Sequence, residues 1–208
     1  MTVAPWRSQI TGALHRNRSL VYARYLQLAT VRSDGRPANR TVVFRGFYDP
    51  LLEKFGGRST STANFPPNQL QFVTDRRSEK IDQIVNCSWA EACWYFPKTR
   101  EQFRLLGELK IIDIENHDSE LSQLRQTLWQ QLSDSGRSQF YWPSPAAPKA
   151  EDVAFEPPSQ SENPPETFCV LLLQPQQVDH LELRGTPQNR HRYSYDPQQG
   201  WLTTSINP

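Results

Sequence analysis

The sequence is poor in cysteine and has no long apolar run, and both shortages exclude classes of protein. Its three cysteines are an odd number without a Cys-x-x-Cys pair, so we expect neither a disulfide framework nor a zinc site. Cys93 and Cys169 lie in apolar, strand-like runs and are predicted to be buried small hydrophobes. No stretch approaches the ~20 apolar residues of a membrane span. Residues 1–7 lack the layout of a signal peptide. The sequence predicts a soluble, cytoplasmic protein without membrane association.

An excess of charge of one sign is also missing. The chain has 23 Lys and Arg against 22 Asp and Glu, which gives a net charge of +1. Such a balance provides no electrostatic footprint for nucleic acid, so we expect no nucleic-acid partner. Glycine-rich nucleotide loops, His-Glu-x-x-His and Gly-x-Ser-x-Gly are absent too. With no nucleophile, metal or Rossmann motif in the chain, a bound cofactor that performs the chemistry fits best.

One stretch, residues 39–47, combines an apolar strand with two arginines. Thr, Val and Phe dominate it, which is typical of a β-strand. Because strand residues alternate between faces, Arg40 and Arg45 are predicted to point to opposite sides. Arginine is almost never buried without a partner. Each guanidinium is therefore expected to meet an anion, unless the stretch is an edge strand whose arginines only prevent aggregation.

A second basic stretch opens a predicted helix. The strand at 70–74 is followed by Asp75-Arg-Arg-Ser-Glu-Lys80 and then by apolar residues at helical spacing through Val85. A helix N-terminus with basic residues attracts anions through its free N–H groups and its dipole. The alternative is a plain Ser or Asp cap with solvated charges.

The remaining pattern favours short strands joined by hairpin-like connections. We predict helices from Pro5 and over about 118–132, and a loop at 51–69. A turn is predicted at 133–139, and a long surface loop at about 143–165, which contains seven prolines. Gly107 is expected at a bulge or a close approach. Predicted strands are 25–31, 38–48, 70–74, 89–96, 100–113, 167–173, 178–184, 190–195 and 201–205. These predict a single domain over 1–208, an antiparallel barrel with helices outside.

Four short motifs occur in the order and spacing of a known family. They are Arg40-Thr-Val-Val-Phe-Arg45, Phe72-Val-Thr74, Ser78-Glu-Lys80 and Trp94-Tyr-Phe-Pro with Arg100-Glu-Gln102. On these residues the chain resembles the pyridoxamine 5′-phosphate oxidase-like, FMN-binding split-barrel family, in particular its pyridoxamine 5′-phosphate oxidase-related branch.

The resemblance implies a mainly β fold, a six-stranded antiparallel split barrel with flanking helices. It also implies a homodimer with FMN at the subunit interface. The positions that would bind FMN are Arg40, Thr41, Val42, Val43, Arg45, Val73, Thr74, Ser78, Lys80, Gln102 and Arg192. The resemblance implies that Arg45 contacts the substrate. Arg137, Ser138 and Arg190 lie near the other substrate-binding positions of the family. No metal is implied.

The chain also departs from the family pattern. Glu79 stands where the family has arginine, and Arg76 or Arg77 could compensate for it. The C-terminal Arg-x-His of the substrate site is Gln188-Asn-Arg190 here. FMN binding is therefore better supported than oxidation of vitamin B6.

The resemblance implies a flavoprotein oxidase that passes a hydride from pyridoxamine or pyridoxine 5′-phosphate to flavin N5, with reoxidation by dioxygen. Two alternatives keep the barrel. One is a flavin reductase that uses NADH or NADPH, and the other is a non-catalytic FMN-binding protein.

Overall fold

The computed structural model describes residues 3–48, 68–156 and 162–208, which form one curled antiparallel sheet with helices against it. Its strands are β1 Tyr25–Val31, β2 Pro37–Val43, β3 Gly46–Tyr48, β4 Gln69–Asp75, β5 Trp89–Phe96, β6 Glu101–Ile112, β7 Phe168–Glu182, β8 Asn189–Asp196 and β9 Gly200–Ser205. Its α-helices are α1 Pro5–Asn17, α2 Glu79–Asn86, α3 Ser119–Gln130 and α4 Asp134–Ser138. The predicted loop at 51–69 falls mostly outside these residues. Among the described helices, none is long and apolar enough to span a membrane.

The sheet curls because β7 pairs with two different strands along one edge. The strand order is β2-β1-β5-β6-β7-β4-β3, and β8 and β9 continue from β7. The first part of β7 pairs with β4, its last part pairs with β8, and β6 lies along its other edge. This half-barrel with helices on its outside is the split-barrel fold, so the predicted fold class is confirmed. The number of strands differs from the prediction: six were predicted for the barrel, and nine lie in the described sheet.

The prediction of one strand over 38–48 was wrong. The chain leaves β2 at Val43 and enters β3 at Gly46. Between them, the Phe44 N–H donates to Arg24 O (2.8 Å), whereas the Arg45 N–H donates to Gln71 O (2.9 Å). The chain thus passes from the β1 side of the sheet to the β4 side within one residue. Gly46, with φ of +143°, takes up a conformation that other residues rarely adopt.

The prediction of separate strands at 167–173 and 178–184 was also wrong, since β7 runs unbroken from Phe168 to Glu182. Its polar stretch around Pro175 suggested a break. Instead, Pro175 lies opposite Gly107, where the β6–β7 register shifts. Proline is tolerated in a strand at such a bulge. The predicted close approach at Gly107 is confirmed, because a Cβ there would lie 2.0 Å from Gln174 O.

Two apolar clusters cover the two faces of the sheet. The larger one packs α1 and α2 against one face, through residues such as Trp6, Ile84 and Trp94. The smaller one packs α3 against β7, through Leu124, Trp129 and Phe168. Cys169 is buried, as predicted, whereas Cys93 is only half-buried. Cys93 lies directly across from Arg104 of β6, whose side chain is exposed, so this face of the sheet does not pack into the core.

Two polar anchors fix α1 and the start of β7. Arg16 of α1 donates to Glu101 (2.7 Å), and His180 lies 3.1 Å from the other oxygen of that carboxylate. Burial alone would raise the pKa of Glu101, but hydrogen bonds from His180, Arg16 and Thr99 outweigh it and lower the pKa to about 2. Arg125 of α3 donates to the carbonyls of Phe168 and Pro165. α3 therefore holds the point where the proline-rich segment enters β7.

The predicted turn at 133–139 contains the short helix α4 and then a 3₁₀ turn, Gln139–Tyr141. Ser133 caps α4 by accepting from the Gly136 N–H (3.2 Å), which explains a helical turn in a polar stretch. Residues 143–156 and 162–165 have no regular structure except the 3₁₀ turn Asp152–Phe155. This agrees with the predicted loop, as far as residues 143–156 and 162–165 are concerned.

The approach at Gly107 yields a prediction about stability. The substitution Gly107→Ala should destabilise the fold by roughly 1–3 kcal/mol, because backbone atoms of β7 must move to admit a methyl group. Urea unfolding of the two proteins measures this difference. Gly12→Ala is the control, since its Cβ would meet only the flexible end of Arg16 and alanine favours a helix. Equal unfolding midpoints for Gly107→Ala and the unmodified protein would contradict the close approach.

Candidate functional site

A cavity of about 640 Å³ lies between the strands and the segment that follows α3. Residues 40–43, Arg45, residues 73–75 and Lys80 line its strand side. The opposite wall consists of Leu132, Gly136, Gln139, Phe140, residues 142–150 and Phe155. A volume of this size is typical of sites for cofactors and small molecules.

The cavity brings together eight of the eleven residues that the sequence suggested for FMN: Arg40, Thr41, Val42, Val43, Arg45, Val73, Thr74 and Lys80. Arg40 and Arg45 line one cavity, although strict alternation predicted opposite faces. The break between β2 and β3 explains this difference, because Arg45 no longer belongs to the strand that carries Arg40.

Lys80 marks the start of α2 at the cavity. Its ammonium donates to Thr74 Oγ1 (2.7 Å) and to Ser78 Oγ (2.9 Å). Ser78 is the N-cap residue, but its side chain accepts no helix N–H and donates instead to Asp75 O (2.8 Å). The N–H groups of the first turn are therefore not capped by Ser78. Two hydroxyls, an ammonium and a helix N-terminus form a group of donors suited to a phosphate.

Arg40 is held next to this group by neutral partners. Its guanidinium donates to Thr30 Oγ1 (2.5 Å) and to Gln83 Oε1 (2.9 Å). Thr30 and Gln83 are buried and bonded to each other (2.6 Å). These contacts fix the direction of Arg40 and leave its charge uncompensated.

Arg45 differs from Arg40 and Lys80 because one of its donor atoms lacks a hydrogen-bond partner. Its Nε is buried and has no hydrogen-bond partner among the described residues. A buried donor without a partner costs about 1–3 kcal/mol. The Arg45 residue also lines the cavity, so its guanidinium group is a candidate to bind an anionic ligand there.

The three cations share one electrostatic feature: none forms an ion pair with a carboxylate in the described part of the chain. Burial lowers the pKa of Arg40, Arg45 and Lys80, and a neighbouring arginine lowers each further. The carboxylates of Glu79 and Asp75 act in the opposite direction on Arg40 and Lys80, without pairing with them. Asp75 also lines the cavity, but its carboxylate pairs with Arg77 (2.6 Å). The cavity therefore carries positive charge that an anionic ligand would neutralise, and the phosphate of FMN fits this requirement.

Three other predicted residues lie apart from the cavity. Gln102, Arg190 and Arg192 are on β6 and β8 and do not line it. Cross-strand pairing joins Gln102 to Leu181 and Arg190, and joins Arg104 to Asp179 and Arg192. The three residues thus share one face of the sheet, opposite to the face that buries Phe103 and His180. Asp179 pairs with Arg190 at 2.9 Å and lies 3.8 Å from Arg192.

The helix residues suggested for the substrate turn away from the cavity. Arg137 donates to Leu132 O (3.1 Å) and lies over the Trp129 ring, and Ser138 donates to Asp134 O (2.8 Å). Their neighbours Gly136 and Gln139 line the cavity instead.

Arg76 and Arg77 do not take the place of the family's missing arginine, since neither lines the cavity. Arg76 pairs with Asp113 (3.3 Å) and Glu115 (2.8 Å), whereas Arg77 pairs with Asp75.

The wall formed by residues 142–150 and Phe155 was missed by the sequence analysis, which placed this segment on the surface. Trp142 and Phe155 pack edge-to-face, with ring centroids 5.7 Å apart. Ala146 has a φ of +63°, an uncommon conformation for alanine. The sequence signal for this wall was the presence of two large aromatic residues, Trp142 and Phe155, in or beside a proline-rich segment. Large aromatic residues are unusual in a fully exposed loop.

The fold and the cavity together define a split-barrel protein that binds a phosphorylated cofactor. Comparison with known proteins identifies the class. The family model described as pyridoxamine 5′-phosphate oxidase, FMN-binding domain, matches residues 3–113. The chain belongs to this family, and its cofactor is FMN.

Relatives match the chain along nearly its whole length. Pyridoxine/pyridoxamine 5′-phosphate oxidase 2 of Arabidopsis thaliana is 36% identical over 214 residues, which cover 99% of this chain and 98% of that protein. The crystal structure of a pyridoxamine 5′-phosphate oxidase-related, FMN binding protein from Nostoc punctiforme is 53% identical, with a TM-score of 0.88 and 100% of both chains covered. PhzG from Burkholderia lata shares the fold at 20% identity, with a TM-score of 0.69 and coverage of 97% and 89%.

The uncompensated charge yields a prediction about Lys80. The substitution Lys80→Met should weaken FMN binding roughly 10- to 100-fold, because it removes a charge-assisted contact to phosphate. It should not destabilise the FMN-free protein, since burial already disfavours the ammonium. Titration of FMN fluorescence and urea unfolding measure the two effects. Lys98→Met is the control, because Lys98 contacts exposed Ser19 outside the cavity. Unchanged FMN affinity in Lys80→Met would remove Lys80 from the site.

Proposed function

We propose that the protein is an FMN-dependent oxidase of pyridoxine or pyridoxamine 5′-phosphate. The observation that carries the proposal is the strand side of the cavity, where three cations have no carboxylate paired to them in the described structure. The fourth cation that lines the cavity, Lys149 on the opposite wall, pairs with Asp152 (3.3 Å). Such a cavity suits two phosphate esters better than one. The name of the Arabidopsis relative supports this choice of substrate.

The residues divide into two anion-binding positions. Arg40, Lys80, Thr74, Ser78 and the start of α2 would hold the phosphate of FMN, with residues 41–43 and Val73 along the flavin. Arg45 would bind the phosphate of the substrate through its guanidinium group, since its side chain lines the cavity. FMN, when bound, would supply the two-electron chemistry: the substrate would lose a hydride from C4′ and a proton from its hydroxyl or amino group, and dioxygen would take up two electrons and two protons to become hydrogen peroxide. With pyridoxamine 5′-phosphate, water would then hydrolyse the resulting imine to the aldehyde and release ammonia. The protein contributes orientation and charge.

We also propose a homodimer in which each subunit completes the site of the other. Gln102, Arg190 and Arg192 lie on a sheet face that does not pack into their own core, and they do not reach their own cavity. If this face meets the cavity of a second copy, these residues can contact the flavin and the substrate there. In this proposal residues 1–208 act as one FMN-binding unit. A cytoplasmic location stays a prediction.

The oxidase proposal predicts turnover by the FMN-loaded protein. With pyridoxine or pyridoxamine 5′-phosphate and dioxygen, we expect pyridoxal 5′-phosphate and hydrogen peroxide in equal amounts. Absorbance of the aldehyde and a peroxide assay measure both products. Arg45→Met should raise the KM for the phosphorylated substrate at least tenfold, because it removes the charged partner of the phosphate.

Two outcomes would contradict the proposal. Absence of pyridoxal 5′-phosphate from either substrate would exclude the oxidase. Rapid anaerobic bleaching by NADH or NADPH, without turnover of either phosphate, would identify a flavin reductase instead.

The dimer proposal predicts complementation between two defective subunits. Homodimers of Lys80→Met and of Gln102→Ala should each bind FMN weakly. A mixed dimer, purified through two different tags, should regain one tight site, because one of its two sites keeps both residues. The control is a mixed dimer of Lys80→Met with Arg40→Met, in which every site has lost a residue. If the first mixed dimer binds no more FMN than the control, Gln102 acts within its own subunit.

A further inference from the structure

We propose that the aromatic pair Trp142 and Phe155 forms the substrate-facing wall of the cavity. In this role the pair packs against the flat ring of an aromatic phosphate whose anion meets Arg45. It takes the place of Arg137 and Ser138, which turn away. The inference rests on the proposed function, because it names the substrate side of the same cavity.

The exposure of the two rings is the first observation. Trp142 is 37% exposed. By contrast, Trp129 of the preceding helix α3 is fully buried in the core. Phe155 is half-buried and packs on Trp142 at an interplanar angle of 72°. Both rings line the cavity, so their open surfaces are available to a ligand. A pair of this kind offers a large, rigid apolar surface at a low entropic cost.

The chemistry of this wall distinguishes the substrate ring from the flavin. Pro143, Pro145 and Pro148 line the cavity and have no N–H to donate. The Ala147 N–H is already bonded to Ser144 O (3.3 Å). A flavin needs donors and acceptors along its polar edge, and strand backbone at residues 41–43 and 73–74 provides them. Gln139, Ser144 and Lys149 also line this wall, but the Trp142 and Phe155 rings add flat apolar contact, which suits a second ring.

The positions of the cations agree with two ligands. Lys80 and Arg40 both contact the region of α2: Lys80 donates to its N-cap residue Ser78, and Arg40 donates to Gln83 within the helix. Arg45 belongs to a different environment, between β2 and β3, where burial and then the charge of Arg24 lower its pKa. One anion at each position accounts for all three cations. The cofactor phosphate occupies the first position, and the substrate phosphate the second.

The test compares binding of two ligands to wall variants. For FMN-loaded protein we expect Trp142→Ala and Phe155→Ala to raise the Kd for pyridoxal 5′-phosphate and the KM for pyridoxine 5′-phosphate roughly tenfold. The Kd for FMN should stay within about twofold. Trp142→Phe should keep most of the affinity. Equilibrium dialysis gives the first constant, and fluorescence titration gives the FMN constant.

Val153→Ala is the matched control, because Val153 lies in the same 3₁₀ turn, is 65% exposed and does not line the cavity. Equal urea midpoints would show that each variant is folded. A parallel loss of FMN affinity would overturn the inference by placing the wall on the flavin. Unchanged pyridoxal 5′-phosphate binding in the variants, or none in the unmodified FMN-loaded protein, would overturn it as well.

These results separate the inference from the proposed function. Oxidation of pyridoxine 5′-phosphate with an unchanged KM in Trp142→Ala would leave the function standing and reject the wall. Binding of pyridoxal 5′-phosphate that depends on Trp142, without any turnover, would support the wall and reject the oxidase.

Discussion

Uncompensated positive charge inside one cavity is the constraint on which the site depends. A buried cation without a counter-charge is costly, and burial lowers the pKa of all three cavity cations. The protein tolerates this cost by giving Arg40 and Lys80 neutral partners such as Thr30, Gln83 and Thr74. Nearby carboxylates are engaged elsewhere, as the pair of Asp75 with Arg77 shows. These cations are thus positioned to bind an anionic ligand rather than to stabilise the fold through ion pairs.

The backbone of the sheet makes this arrangement possible. The Phe44 N–H donates toward β1 and the Arg45 N–H donates to β4, and this change of direction lets both Arg40 and Arg45 line the strand side of the same cavity. β7 holds the two sides together, because it pairs with β4, β6 and β8. The close approach at Gly107 lets β7 remain continuous through Pro175. Local chain geometry, rather than unusual side chains, therefore positions the cations.

The sequence predicted the sheet, its antiparallel character and most of the strand side of the cavity. Hairpin turns and alternating apolar residues report local structure. Arg40 and Arg45 stood out as cations in an apolar strand, and Lys80 stood out as part of a basic helix start. The break after Val43 was missed because Thr, Val and Phe continue through it, and only Gly46 marked the change. The continuity of β7 was missed because Pro175 looks like a strand breaker when its partner Gly107 is not in view. The wall at 142–150 was missed because prolines predict irregular structure without predicting where it lies.

That wall has a consequence for the rate of ligand capture. Each of Pro143, Pro145 and Pro148 fixes one backbone angle, and Ala146 occupies a left-handed conformation with less freedom than glycine would have there. A wall built in this way gives up little conformational entropy when a ligand arrives, because most of the ordering has already occurred during folding. Arg125 anchors the far end of the segment at Pro165 and Phe168. The cavity is thus shaped before binding, and association should be limited by entry of the ligand more than by rearrangement of the protein.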